Sequence, residues 1–270
     1  MREVMPGLGV LVSAIALFFL YRWWRERGQK NARQKLMANK LSKSDWLMID
    51  RTVPILKKMP ADLRAKIDGL VQVLLAEKSF EACGGLFEVT REMRLVVLAQ
   101  AALLLVGRPH GFYPHLRSIL LYPDAYEASD EEEGVSVRLG ESWGSGSVVL
   151  AWKSVVAGAQ NAEDGQNVVL HEFSHQLDQE DGSSDGLPVL ADGMSHAAWS
   201  RAFHESYEHF CDDVNAGKRT VLDDYGATNP AEFFAVATET FFEKAEQLRE
   251  AHAEVYQQLK AYYGLDTAEW

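Results

Sequence analysis

The chain has 270 residues, 47% hydrophobic and 24% charged, enough to bury a sizeable core in one large domain or two small ones. Its net charge of −12 argues against a protein that holds nucleic acid directly by bulk electrostatics. Its two cysteines, Cys83 and Cys211, rule out a disulfide framework and lack the CxxC spacing of a metal site, so both read as buried free thiols, as in a reducing compartment.

The first predicted element is a transmembrane helix. Residues Val4 to Tyr21 carry no charge, and as a helix they span about 27 Å, near the minimum for a hydrocarbon core. Tyr21, Trp23 and Trp24 follow as an interfacial belt would. Then come Arg22, Arg25, Arg27, Lys30, Arg33 and Lys35, against Arg2 alone before the span. That bias places the bulk of the chain on the cytoplasmic side, tethered to the inner membrane, with a freely cytosolic protein as the alternative. A cleaved signal peptide and an interfacial or buried helix are the rival readings of the segment. The predicted layout is an anchor over 4–24, a basic stalk over 25–44 and a folded domain over 45–263.

The next stretch, Trp46 to Lys78, has helical spacing with a break at Pro54 or Pro60, and Ile67, Leu70, Val71, Leu74 and Leu75 form one apolar stripe. Glu92 to Val106 is a strongly apolar helix, too short to span a bilayer and so a core element. Ser118–Tyr122 reads as a buried strand stopped by Pro123. The acidic run Asp130–Glu133 reads as a solvated loop. Gly134–Gly140 alternates apolar and polar as a half-buried strand does, Trp143–Ser147 reads as a turn, and Val148–Trp152 as another strand. After residue 178 a polar, Gly-rich loop leads into helices at His196–Asn215, Ala231–Gln247 and Ala251–Tyr263. The predicted fold class is α+β, mostly helical with a small sheet before the helix that carries the chemistry.

That helix contains His171-Glu172-Phe173-Ser174-His175. Residues four apart on a helix share one face, so the two imidazoles can share one metal ion, for which zinc is the best match. Glu172 then lies beside the metal, where it can take a proton from water. Asp178, three residues beyond His175, falls on the same face and reads either as a carboxylate steadying a ligand histidine or as an ordinary helix-end residue. The other histidines, His110, His115, His196, His204, His209 and His252, have no ligand spacing and read as non-ligands.

A catalytic zinc site needs a third protein ligand and one open position. Asn229-Pro230 is a helix N-cap followed by proline at the first helical position, which places Glu232 in the first turn. Glu239, seven residues on, lies near the same face two turns later. Residue types and spacing leave the third ligand open between Glu232 and Glu239. The pairs Phe233-Phe234 and Phe241-Phe242 read as core packing.

His171-Glu172-Phe173-Ser174-His175-Gln176-Leu177-Asp178, together with Tyr225 and the run Pro230-Ala231-Glu232-Phe233-Phe234-Ala235-Val236 continuing to Glu239, resembles the Mlc titration factor A family of zinc peptidases over residues 45–263. The family's catalytic domain is zincin-like, of the gluzincin type, and similar to that of lethal factor. The resemblance implies one zinc ion per chain on His171, His175 and Glu232, with Glu172 as catalytic base. It also implies that Tyr225 steadies the oxyanion and leaves Glu239 as support for a ligand. It implies an aminopeptidase-like enzyme acting on a peptide or protein substrate, and a transcriptional repressor of sugar uptake as a further partner. Two rivals stand beside the enzyme: a non-catalytic protein that sequesters the repressor, and a membrane-tethered endoprotease. In either protease reading, Gly134–Gly140 or Val148–Trp152 could pair with an extended peptide as an added edge strand.

Overall fold

The computed structural model describes residues 6–109, 111–130, 134–138, 140–143 and 146–270. His110 and residues 131–133 of the acidic run therefore lie outside the described residues.

Helix α1 runs unbroken from Pro6 to Met37. A capping box at Ser42 then starts α2 (Lys43–Thr52): Ser42 Oγ accepts from Asp45 N, and Asp45 Oδ2 accepts from Ser42 N. Pro54 opens a 3-10 turn and Pro60 precedes α3 (Ala61–Glu77), so both prolines act as breaks. The foot of α1 lies against α3. Arg33 grips the Glu77 carboxylate with two bonds of 2.7 and 2.8 Å, and Gly69 admits the Met37 backbone where any Cβ would meet Met37 O at 2.5 Å.

The transmembrane expectation for residues 4–24 is corrected here. Among the described residues no helix is long and apolar enough to cross a membrane. The described uncharged part of α1, residues 6–21, spans about 24 Å, short of a hydrocarbon core of about 30 Å. The helix then continues through Arg22, Arg25, Glu26 and Arg27 without a break. The ground for naming the membrane as a partner goes with it.

The sheet is a second correction to the predicted fold class. The short strand β1 (Ser79–Ala82) is followed by α4 (Arg91–Leu103) and then β2 (Ser118–Tyr122), which pairs with β1 in parallel, Ser79 opposite Ser118. A separate antiparallel hairpin follows, β3 (Tyr126–Asp130) with β4 (Gly134–Arg138). Strand β5 (Gly140–Trp143) then turns into β6 (Ser147–Ala151). The main sheet has the order β1-β2-β6-β5, with three parallel strands and β5 antiparallel at one edge. A parallel pair needs a crossover, and α4 supplies the one between β1 and β2. The arrangement is therefore a mostly helical chain wrapped on a mixed, largely parallel sheet. A simple α+β chain with a local sheet and a membrane helix does not describe it.

Helix α5 (Trp152–Gln160) leads to α6 (Val168–Asp178), and α7 (His196–Asn215) to α8 (Pro230–Glu243), α9 (Ala245–Ala251) and α10 (Ala253–Tyr263). Every apolar side chain from Leu95 to Leu105, in α4 and the turn after it, is buried, and Ile119, Leu121, Val148 and Leu150 fill the sheet side of the same core. On the other side Trp199 and Phe203 stack at 4.3 Å and meet Phe233 and Phe234. Phe241 and Phe242 pack on Tyr263, so both phenylalanine pairs of α8 are core. The core clamps α6 between α4 and α8 and presents one face of α6 to α8.

Candidate metal centre

Helix α6 begins where Asn167 Oδ1 accepts from Val169 N and Leu170 N, both at 3.1 Å. Val169, Leu170, Phe173 and Leu177 bury one stripe, with Phe173 set edge-on against Tyr113 at 4.9 Å. Burial of that stripe turns His171 and His175 toward α8. Helix α8 starts at an Asn229 cap, whose Oδ1 accepts from Glu232 N at 3.0 Å, with Pro230 at the first position. This fixes Glu232 in the first turn, facing the histidines.

The three side chains converge. His171 Nε2 lies 2.9 Å from Glu232 Oε2, His175 Nε2 lies 3.2 Å from the same oxygen, and the two Nε2 atoms are 3.2 Å apart. Ligands of a tetrahedral zinc with bonds of about 2.0–2.1 Å sit about 3.3 Å apart, so the separations suit one small ion. The electron count points the same way. His171 Nδ1 is 2.8 Å from Glu239 Oε1, and donating its proton there leaves Nε2 with a lone pair. The His171 lone pair, His175 Nε2 and a carboxylate oxygen then face one another, an arrangement that needs a proton or a cation between them. His171, His175 and Glu232 are the one group of metal-type side chains with this convergence among the described residues.

The titration shifts express the same need. Burial works against a charged His171, but Glu239 and Glu232 outweigh it and hold its pKa well above the usual histidine value. Burial pushes Glu232 up, yet hydrogen bonds from His171 and His175 win and hold it far below the usual carboxylate range. A bound divalent cation would displace the proton, since metal ligands bind deprotonated.

Other predicted site residues take distinct places. Glu172 is buried, on the α6 helix between the two histidines. Tyr225 sits on a 3-10 turn, Asp224–Ala227, just before α8, and its N–H bonds the Asp223 carboxylate at 2.9 Å. Its side chain is 56% exposed and its ring lies 5.9 Å from the His171 ring, so it overhangs the site from the solvent side. Glu239 backs His171 and lies behind Nδ1, not at the Nε2 side where Glu232 is. Asp178 Oδ2 accepts from Gly186 N at 3.0 Å, tying the end of α6 to the loop that follows, and not from a ligand histidine. Burial pushes its pKa up to about 6. Of the histidines read as non-ligands, His115 meets Glu180 O and His252 meets Ser206 Oγ.

Behind the site, Asn167, Gln100 and Glu243 join Glu239 in a layer, and these three are not singled out by sequence reasoning. Asn167 Nδ2 donates to Gln100 Oε1 at 2.9 Å and to Glu243 Oε1 at 3.0 Å. Glu243 Oε2 accepts from Gly165 N at 3.2 Å, and Glu239 Oε2 accepts from Asn167 N. Burial raises the Glu243 pKa to about 8. The available signal is Gln100, a lone polar residue inside the apolar run of α4, which must find a partner when buried.

Comparison with known proteins gives this geometry a context. The Synechocystis sp. protein "Uncharacterized protein slr2042" is 37% identical, with 96% of each chain covered. "Mlc titration factor A" of Yersinia pestis (strain Pestoides F) is 29% identical, covering 79% of this chain and 82% of its own. The protein of the same name from Yersinia pseudotuberculosis serotype O:1b has the same identity and coverage. The family described as Glucose-regulated metallo-peptidase M90 matches residues 21–264. With nearly the whole chain matched, the protein belongs to the glucose-regulated metallo-peptidase M90 family.

Proposed function

We propose that this protein is a zinc-dependent peptidase, with His171, His175 and Glu232 as ligands and Glu172 as general base. The observation that carries the reading is the convergence of two imidazole nitrogens and one carboxylate oxygen at 2.9–3.2 Å, with Glu172 on the same helix. A zinc ion held there supplies a Lewis acid and brings the pKa of water toward neutrality. Glu172 removes the proton of the attacking water and delivers it to the leaving amine nitrogen. Glu239 keeps the His171 ring turned so that Nε2 faces the site. Tyr225 donates a hydrogen bond from its hydroxyl to the developing oxyanion from the open side.

The substrate in this reading is an extended peptide. Strand β5 lies at the sheet edge beside α6, and its outer side offers backbone groups for an added strand. Of the two strands favoured from sequence, Val148–Ala151 is paired on both sides, by β2 and β5, while Gly134–Arg138 is paired with β3 among the described residues and keeps a second edge. Aminopeptidase-like action on short peptides follows from the family resemblance. A second reading rests on the name of the Yersinia relatives: binding of a repressor such as Mlc, with or without hydrolysis.

The test is Glu172→Gln, assayed with fluorogenic aminoacyl and peptide substrates. The variant keeps its fold and its zinc, and cleavage falls by about 10²–10⁴-fold. Cleavage at the wild-type rate in Glu172→Gln refutes the catalytic assignment. Absence of cleavage in wild type that holds zinc favours the binding role.

A further inference from the structure

We infer that Asn167, through Gln100 and Glu243, is the positioning residue of the metal centre. The inference rests on the proposed metal site and deepens it.

Asn167 is buried, with 2% of its surface exposed, and every hydrogen-bonding group of its side chain is engaged. Its Oδ1 caps α6 through Val169 N and Leu170 N. Its Nδ2 uses both protons, one on Gln100 of α4 and one on Glu243 of α8. Its backbone N–H goes to Glu239 Oε2, whose partner oxygen holds His171 Nδ1. Gln100 in turn donates to Val96 O at 3.0 Å, and Glu243 accepts from Gly165 N. Each polar side-chain atom of Gln100, Asn167, Glu239 and Glu243 has a partner, and the four tie α4, α6 and α8 together.

Such a network has a geometric consequence. The cap fixes where α6 begins, and the ties to Gln100 and Glu243 fix the height of that first turn against α4 and α8. His171 is four residues from Asn167, one turn along, and Glu232 lies on α8 itself. The register between the two ligands is therefore set by the Asn167–Glu243 bond. The Asn167 N–H also fixes the Glu239 carboxylate, and with it the plane of the His171 ring.

The donor pattern supplies a test that separates positioning from mere helix capping. Aspartate caps a helix as well as asparagine does. Asn167→Asp therefore keeps Oδ1 but sets a carboxylate oxygen against both Gln100 Oε1 and the Glu243 carboxyl. Glu243→Gln alone sets an amide against either the Asn167 amide or Gly165 N–H. When both substitutions are combined, the new amide at position 243 donates to the new carboxylate at position 167. Its carbonyl oxygen still accepts from Gly165 N, so both bonds at position 243 return, while Gln100 Oε1 still faces a carboxylate oxygen.

The experiment uses the full chain, with zinc affinity measured by chelator competition and the visible spectrum of the cobalt(II)-loaded protein. Asn167→Asp and Glu243→Gln each weaken zinc binding by about 10–100-fold and alter the cobalt bands, and the double variant, with only the Gln100 contact still lost, binds zinc more tightly than Asn167→Asp alone. Wild-type zinc affinity and cobalt spectrum in Asn167→Asp overturn the inference, as does a double variant no better than the weaker single one. If Asn167→Asp fails to fold, Glu243→Gln and the double variant carry the same comparison. A wild-type chain that binds no zinc refutes the metal reading itself, a result distinct from equal binding across the variants.

Discussion

Gly186 joins the loop after the histidine helix to the start of the glutamate helix, and replacing it with alanine perturbs both fold and site. Its φ is +79°, its N–H bonds Asp178 Oδ2 at 3.0 Å, and its carbonyl accepts from Trp199 Nε1 at 3.0 Å. A Cβ there would lie 2.5 Å from Pro230 O and 3.0 Å from Pro230 C. The left-handed backbone costs an alanine about 1–2 kcal/mol. Opening a backbone contact that tight costs about 1–3 kcal/mol more, as overpacking does. Gly186→Ala should therefore lose about 3 kcal/mol, or about 6–12 °C in Tm at about 2–4 °C per kcal/mol. Pro230 is two residues before Glu232, so relief of the clash moves the ligand and weakens zinc binding by about tenfold. The control is Gly182→Ala. Gly182 has φ +95° but a Cβ there would meet no atom within 4 Å, so the change should cost only about 1 kcal/mol and leave zinc affinity unchanged. Thermal unfolding by circular dichroism in chelator, followed by zinc titration, checks both. Equal melting temperatures and equal zinc affinities for the two variants would refute the reasoning.

Two further predictions concern charge. Hydrogen bonds from Arg91 hold the Asp45 carboxyl at about 2, below its ordinary 3.8, so the contribution is present above about pH 4 and is lost as pH falls through 2. Arg91 is 61% exposed, which reduces the effect to about 1 kcal/mol. Arg91→Ala should flatten that limb in urea unfolding at about pH 2–5, and an unchanged acid limb would count against the pair. Tyr225→Phe should lower kcat by about 10²-fold with KM and zinc content unchanged, because the hydroxyl acts only on the transition state. A change confined to KM would assign Tyr225 to substrate binding.

The long, strongly patterned elements are legible in the sequence. The His196–Asn215 spacing gives α7, with Ser195 as cap, and Ser118–Tyr122 gives β2. Short elements fixed by distant partners are not. Strand β1 has four residues and is defined by its pairing with β2, while α5 begins at Trp152, where the sequence reads as strand. The predicted continuous helix over Ala231–Gln247 breaks at Lys244, where neither proline nor glycine announces it. There Lys244 Nζ bonds Val221 O, a tertiary tie. The apolar N-terminal run reads as a transmembrane helix only when residues 4–24 are taken apart from the charged turns that continue the same helix. At the site, His171, Glu172 and His175 follow from spacing alone. Glu232 and Glu239 are interchangeable in the sequence because both lie on one face of α8; which nitrogen of His171 each oxygen meets depends on how α6 and α8 pack. The Asn167 network joins residues 67 and 76 positions apart and has no local pattern to reveal it.

Metal content is the most direct test of the central claim that His171, His175 and Glu232 together hold one ion while Glu172 performs the proton transfer. Elemental analysis of the purified chain should find one zinc in wild type and in Glu172→Gln, and little in His175→Ala or Glu232→Ala. Full zinc occupancy in Glu232→Ala, or loss of zinc in Glu172→Gln, would contradict the account.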